Sequence, residues 1–485
     1  MNGTLAAALG VLATLVASAT AAQPFATPPP VAAPRPVVIA APVVQTLGNG
    51  LRVIVAQRKG TPLVTALLVV RSGTEADPAA LSGLADLTAT LLTKGTATLS
   101  APQIAEAAEA LGGMLESGAG WDRSYVSITV TRPQLARALE LVAEVTRRPR
   151  FAGAELERAR KLAIDGLAVA LAQPGTLSQL AATRAAFGAS TYGHPAHGTP
   201  ASLARMRRAD VVLLHARLYR PDNAALIFVG DIDPADARAL AQATFGRWPR
   251  PAASRPPSAV TAAAPVVRAP VAIAMTGAGQ AGVAFAAPTI ARSAPDYYPG
   301  VVANTLLGAG YSSRLNQEIR IKRGLSYGVG SAVDARRDGG VFRVSAQTKN
   351  ESAPEVVRVM LDEIARVAAA PAAVDELEAR KLAIIGAVSR RFETTEDLAG
   401  TIASLEANGV DVAELTRAIG RIAAVTPADV QTFAKAHWPV SALQIVVAGE
   451  AAQFVDALRV AHPDVVLIPQ KDIDLERAAL SRGAK

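Results

Sequence analysis

The chain has 485 residues, half of them apolar and 19% charged, with a formal net charge of +8 and only 4% aromatic residues. This length supports two to four domains with ordinary cores. The sparse aromatics and the absence of any Lys/Arg run argue against nucleic-acid binding. No cysteine is present, which excludes disulfides, thiolate metal sites and a cysteine-linked lipid anchor, and suits passage through an oxidising compartment.

Residues 5–17 are apolar and small, and Ala19-Thr20-Ala21 and Thr20-Ala21-Ala22 are cleavage candidates, so residues 1–22 read as an export signal. The expectation is an exported, periplasmic protein with no stable membrane span once the signal is removed. Because residues 1–4 carry no Lys or Arg and the run is just long enough to span, an uncleaved anchor is the competing reading. Residues 23–42, rich in Pro and Ala, read as a linker. The pattern then changes. Residues 43–46 and 51–55 flank Leu47-Gly48-Asn49-Gly50, an Asn-Gly hairpin signal. Residues 62–71 read as a buried strand, 81–93 and 101–111 as helices, and 125–131 as an alternating strand. Residues 134–147 and 155–172 follow as helices, and 225–229 as a strand ending at Gly230-Asp231. Residues 250–270 are again rich in Pro, Ala and Ser.

After that linker the same pattern returns. Glu155-Leu156-Glu157-Arg158 opens a helix that matches the one opened by Glu376-Leu377-Glu378-Ala379. Ala209-Asp210-Val211 matches Ala428-Asp429-Val430, and Gly230-Asp231 matches Gly449-Glu450. All three pairs are about 220 residues apart and in one order, the mark of an internal duplication. The predicted fold class is α+β: two tandem homologous halves, 43–249 and 271–470, each a mixed or antiparallel sheet with helices packed on one face, arranged like a clamshell. Residues 471–485 read as a tail.

Two motifs invite functional readings that their context does not support. Gly277-Ala278-Gly279-Gln280-Ala281-Gly282 fits a dinucleotide fingerprint letter by letter, but a strand-like Val283-Ala284-Phe285 follows where a helix N-terminus must face the pyrophosphate. It reads as a hairpin turn. His194 and His197 stand in a Gly- and Pro-rich loop with no carboxylate at ligand spacing, so they read as a loop pair and not as metal ligands.

The segment Gly83-Leu84-Ala85-Asp86-Leu87-Thr88-Ala89-Thr90-Leu91-Leu92-Thr93-Lys94-Gly95-Thr96 carries more information. It resembles the zinc-site helix of the pitrilysin/insulinase-type peptidases, which use an inverted His-x-x-Glu-His motif. In that family two imidazoles hold zinc and the glutamate activates the metal-bound water. Here Asp86 takes the first histidine's place, Ala89 the base's, and Thr90 the second histidine's. Alignment on Glu157-Arg158 puts the third ligand, a glutamate in the family, at Gly166. The resemblance therefore implies the family's fold without its metal: no zinc in this chain, and zinc expected in a partner.

Farther on, Gly308-Ala309-Gly310-Tyr311-Ser312-Ser313-Arg314-Leu315 and the residues to Tyr327 are similar to the family's C-terminal signature. Ser312 or Ser313 can cap a helix, and Gly324 can end it in the left-handed conformation. A strand follows, so Arg320 and Tyr327 can converge. In the family an arginine and a tyrosine at this place bind the substrate carbonyl and stabilise its oxyanion. The resemblance thus implies the non-zinc subunit of an exported heterodimeric metallopeptidase, inactive alone. Arg320 and Tyr327 would act on peptides with a zinc-motif-bearing paralogous partner. The alternative is a catalytically inert structural or peptide-binding relative.

Overall fold

The structure is a computed structural model that describes residues 40–60, 62–188, 190–252, 260 and 269–481. The expected signal at 1–22, most of the linker at 23–42 and most of that at 250–270 lie outside the described residues. No described helix is long and apolar enough to cross a membrane.

The first half builds a six-stranded sheet from β1 (Val43–Thr46), β2 (Arg52–Gln57), β3 (Leu63–Val70), β4 (Glu116–Ala119), β5 (Ser124–Thr131) and β6 (Ala224–Gly230), in the order β1-β2-β6-β3-β5-β4. The Asn-Gly turn joins β1 to β2 with Gly50 at φ +93°, and the Asn49 side chain donates to the Phe245 carbonyl at 2.8 Å. Strand β3, apolar apart from Thr65, is buried on both faces from Val64 to Val70. On β5, Val126, Ile128 and Val130 are buried while Tyr125, Ser127 and Thr129 are half-buried. The helices are α1 (Leu84–Leu91), α2 (Ala101–Ala110), α3 (Leu135–Arg147), α4 (Gly153–Leu171), α5 (Pro174–Phe187), α6 (Pro200–Arg205), α7 (Arg208–Leu218) and α8 (Pro234–Phe245). Leu87, Leu139, Val142, Leu214 and Phe245 pack with Leu68, Val126 and Phe228 in one core on one face of this sheet.

The second half repeats the plan with β7 (Val271–Ala274), β8 (Ala281–Thr289), β9 (Gly328–Ala335), β10 (Gly340–Thr348), β11 (Gln444–Gly449) and β12 (Val466–Pro469), in the order β12-β7-β11-β8-β10-β9. Its helices are α9 (Tyr297–Leu307), α10 (Ala353–Ala369), α11 (Val374–Arg390), α12 (Thr395–Ala407), α13 (Glu414–Ala424), α14 (Pro427–His437) and α15 (Val455–Ala461). The order matches the first sheet strand for strand, with β12 in place of β1. The outer strand differs in direction: β12 joins β7 in parallel, whereas β1 joins β2 antiparallel. The Gly277–Gly282 segment turns the chain, with Gly277 at φ +76°, but β7 and β8 do not form the expected hairpin. The buried strand β11 lies between them, parallel to β7 and antiparallel to β8, as β6 lies between β2 and β3.

The second face of each sheet is covered by one helix from the opposite half. The Ala-rich α5 lays Leu177, Ala181 and Ala185 on Ala284, Ala286, Val446 and Ala448. Gly282 is required by this contact, because a Cβ there would stand 2.4 Å from the Pro174 carbonyl oxygen. Reciprocally, α12 sets Leu398, Ala399 and Ile402 on Ile54, Leu67, Val69, Ile227 and Val229.

The β9–β10 hairpin tip also enters the first half. The Arg337 guanidinium lies 3.0 Å from Glu75 and 3.6 Å from Asp122, and donates to the Arg71 carbonyl at 3.1 Å. Arg336 covers the Trp121 ring at 3.9 Å and donates to the Tyr192 carbonyl at 3.1 Å. Burial pushes the Glu75 carboxyl up to about 7 despite Arg337 and raises Asp122 as well. Within the segment read as a tail, Leu475 and Leu480 are buried. Glu476 accepts from Thr199 Oγ1 at 2.8 Å and Arg205 at 2.5 Å.

Candidate functional site

Helix α1 begins at Gly83, which has φ +89°. The buried Asp77 carboxylate caps it, accepting from the Gly83 and Ala85 amides at 2.8 Å each, and burial holds that carboxyl well above its usual range. The apolar spacing turns Leu84, Leu87, Leu91 and also Ala89 into the core. The position expected for a catalytic base is therefore fully buried. Asp86 and Thr90 face outward into a cavity of about 270 Å³, shared with Lys94, Arg158, Leu162 and His197. Gly166, farther along α4, does not line it, and a Cβ there would meet nothing within 4 Å.

The sequence reading missed one partner here. His197 Nδ1 lies 3.0 Å from Asp86 Oδ2, across 111 residues of chain. That hydrogen bond raises the imidazole's pKa. The approach depends on Gly83 and Gly198, since a Cβ on Gly83 would stand 2.7 Å from the Gly198 nitrogen. His194 has the structural role expected of a satisfied core residue. Its ring nitrogens lie 3.0 Å from the Thr74 carbonyl and 3.2 Å from that of Pro195, and burial lowers its pKa.

This cleft does not fit zinc. A zinc site needs three protein donors converging on one point. Here one carboxylate and one imidazole are hydrogen-bonded to each other, Ala89 and Gly166 offer no donor, and two cationic side chains share the space. Among the described residues, no group of three or more His, Cys, Asp or Glu side chains is placed to hold a metal ion.

In the second half, the expected helix after Ser313 is a π-helix, Asn316–Lys322. Leu315 and Ile319 anchor it in the core, and Arg314 makes a two-pronged pair with Glu376 at 2.9 and 3.1 Å. It ends as expected at Gly324, φ +62°, where the Leu325 amide reaches back to the Ile319 carbonyl at 2.9 Å. Ser326 Oγ then donates to the Gln347 carbonyl at 2.6 Å and fixes the entry to β9. The result brings Arg320 and Tyr327 together: the guanidinium carbon lies 4.5 Å from the Tyr327 ring centroid and 5.1 Å from that of Tyr311. Tyr327 is 88% exposed and Tyr311 64%. The arrangement presents a guanidinium and two phenols to solvent, a set of donors suited to a carbonyl oxygen that gains negative charge. Wide π turns of this kind recur at functional sites.

Comparison with known proteins agrees with this fold. Residues 52–199 match the profile of the insulinase family (peptidase family M16), and residues 205–384 that of the peptidase M16 inactive domain. An uncharacterized zinc protease of Mycobacterium tuberculosis is 31% identical over 327 residues, covering 67% of this chain and 74% of that one. A second, from Streptomyces coelicolor, is 27% identical over 395 residues, covering 80% and 86%. The crystal structure of a peptidase M16 inactive domain from Pseudomonas fluorescens superposes with a TM-score of 0.78 at 25% identity, covering 84% of this chain and 98% of that one. A protease from Helicobacter pylori gives 0.80 at 18% identity, covering 85% and 100%, and shares the fold. Two duplicated sheet-and-helix halves define the architecture of this peptidase class. The chain belongs to the pitrilysin/insulinase family, peptidase family M16, and it is a member without the zinc-binding residues.

Proposed function

We propose that this chain is the non-zinc subunit of an exported heterodimeric metallopeptidase. The observation that carries the reading is the stacked Arg320 and Tyr327, retained while Asp86, Ala89, Thr90 and Gly166 occupy the four zinc-site positions. A paralogous partner bearing the zinc motif supplies the metal and the activated water. In this chain Arg320 supplies a fixed positive charge and Tyr327 a phenolic O–H. Both donate hydrogen bonds to the carbonyl oxygen of a bound peptide as it becomes an oxyanion. Preorganised donors of this kind are worth about 10²–10³ in kcat each.

The test is to purify the chain alone and together with a zinc-motif paralogue, and to follow cleavage of a quenched fluorescent peptide. The expected result is no turnover alone and turnover in the pair, with kcat reduced at least about a hundredfold by Arg320→Ala with Tyr327→Phe. Zinc-dependent turnover by the chain alone would refute the proposal, as would full activity of the double variant in the pair. Loss of all four zinc-site residues is also compatible with a structural or peptide-binding relative. That second reading gains if the double variant assembles normally and turns over substrate unchanged.

A further inference from the structure

The duplication gives the molecule a second cleft in the place that corresponds to the zinc-site cleft. In the first half, Asp86, Thr90 and Lys94 of the α1 segment, spaced four apart, face α4. In the second half, Val301, Thr305 and Ala309 of the α9 segment, with the same spacing, face α11, the repeat of α4. The second cleft is larger, about 400 Å³, and its chemistry is different. Its walls are Val301, Ile384, Val388, Leu415 and Ile422, with Arg292 and Arg391 as its cationic residues.

The only carboxylate in the lining is already engaged: Glu414 accepts from Tyr298 Oη at 2.6 Å and pairs with Arg421 at 3.1 Å. Arg292 lies over the Tyr297 ring at 3.7 Å. Neither Arg292 nor Arg391 has a carboxylate partner within ion-pair distance among the described residues. An apolar hole of this size with a few convergent polar groups is the usual form of a small-molecule site. The α9, α11 and α13 walls use their backbone groups internally, so they offer little to a peptide main chain.

We propose that this second cleft binds a free aliphatic carboxylate, with the chain among the aliphatic side chains and the carboxylate on Arg292 and Arg391. The proposal is independent of the peptidase reading, because it uses neither Arg320 nor Tyr327.

Isothermal titration of the full chain with dodecanoate, below its micelle threshold, tests it. Dodecyltrimethylammonium serves as the probe of equal chain length and opposite charge. The expected result is saturable binding of one dodecanoate per chain, at least tenfold tighter than the cation. It should be weakened at least tenfold by Arg292→Gln with Arg391→Gln and abolished by Ala387→Trp, which fills the cavity. No saturable dodecanoate binding, equal affinity for the two headgroups, or unchanged affinity in the arginine double variant would each overturn it. The arginine variant decides the matter if Ala387→Trp does not fold.

Discussion

Replacing Arg337 with Ala tests how the two halves are held together. The guanidinium lies 3.0 Å from Glu75 and 3.6 Å from Asp122, two carboxyls that are 2% and 5% exposed. Removing one partner of a buried pair typically costs about 3–5 kcal/mol, because the remaining charge is left in a poor solvent. The carboxyls have an escape, since each can take up a proton. Glu75 already titrates at about 7 with Arg337 present, and deleting the cation raises it further. Each pH unit between the new value and the wild-type one relieves about 1.4 kcal/mol per carboxyl; below both, the two proteins gain alike. The expected penalty is therefore about 3–5 kcal/mol at pH 8 and only about 1–2 kcal/mol at pH 5. Urea unfolding followed by tryptophan fluorescence measures it, and Trp121, 3.9 Å from the Arg336 guanidinium, reports on the contact itself. A penalty below about 0.5 kcal/mol at pH 8, or one equal at both pH values, would refute the reasoning.

Glu75 alone gives a related result. Its folded pKa of about 7 lies above the ordinary 4.5. Its stabilising contribution is thus complete below about pH 4.5 and is lost as pH rises through 7, so Glu75→Gln should flatten the fall in melting temperature between pH 5 and 8. Asp86→His should not restore zinc binding, because Ala89, Thr90 and Gly166 remain. Metal analysis of the dialysed variant should find no stoichiometric zinc, and one zinc per chain would contradict this account of the cleft. Gly83→Ala meets the Gly198 backbone at 2.7 Å in a left-handed conformation. It should cost at least about 2 kcal/mol by thermal melting and should lower the His197 pKa, read by proton NMR, as the loop withdraws from Asp86.

The parts of the fold that were legible in the sequence are the local ones. The Asn49-Gly50 turn, the helical spacing of 101–111 and 134–147, and the duplicated Glu155 and Glu376 helices all announce themselves within a few residues. Gly324 marked the end of the Arg320 segment correctly. The coil before it was read as an ordinary helix, because cap signals do not distinguish a π turn from an α turn. What stayed hidden depends on chain separation. His197 meets Asp86 only in three dimensions, and no spacing rule connects residues 111 positions apart. The Gly277–Gly282 turn was visible, but not that β11, contributed from the end of the half, would insert beside it. Nothing in the sequence of the Ala-rich α5 announces what it covers, because that surface belongs to the other half of the chain.

That reciprocal covering has a consequence for biosynthesis. When β6 leaves the ribosome, the first sheet is complete in strands, yet the face formed by Ile54, Leu67, Val69, Ile227 and Val229 has nothing to rest on. Its cover, α12, is made about 160 residues later, some ten to thirty seconds at about 5–20 residues per second. During the same interval α5 waits for a sheet that does not yet exist. For that time the nascent chain displays a strand-rich apolar surface suited to a holding chaperone. A ribosome stalled in the second half would leave behind a sticky fragment, not a small stable domain.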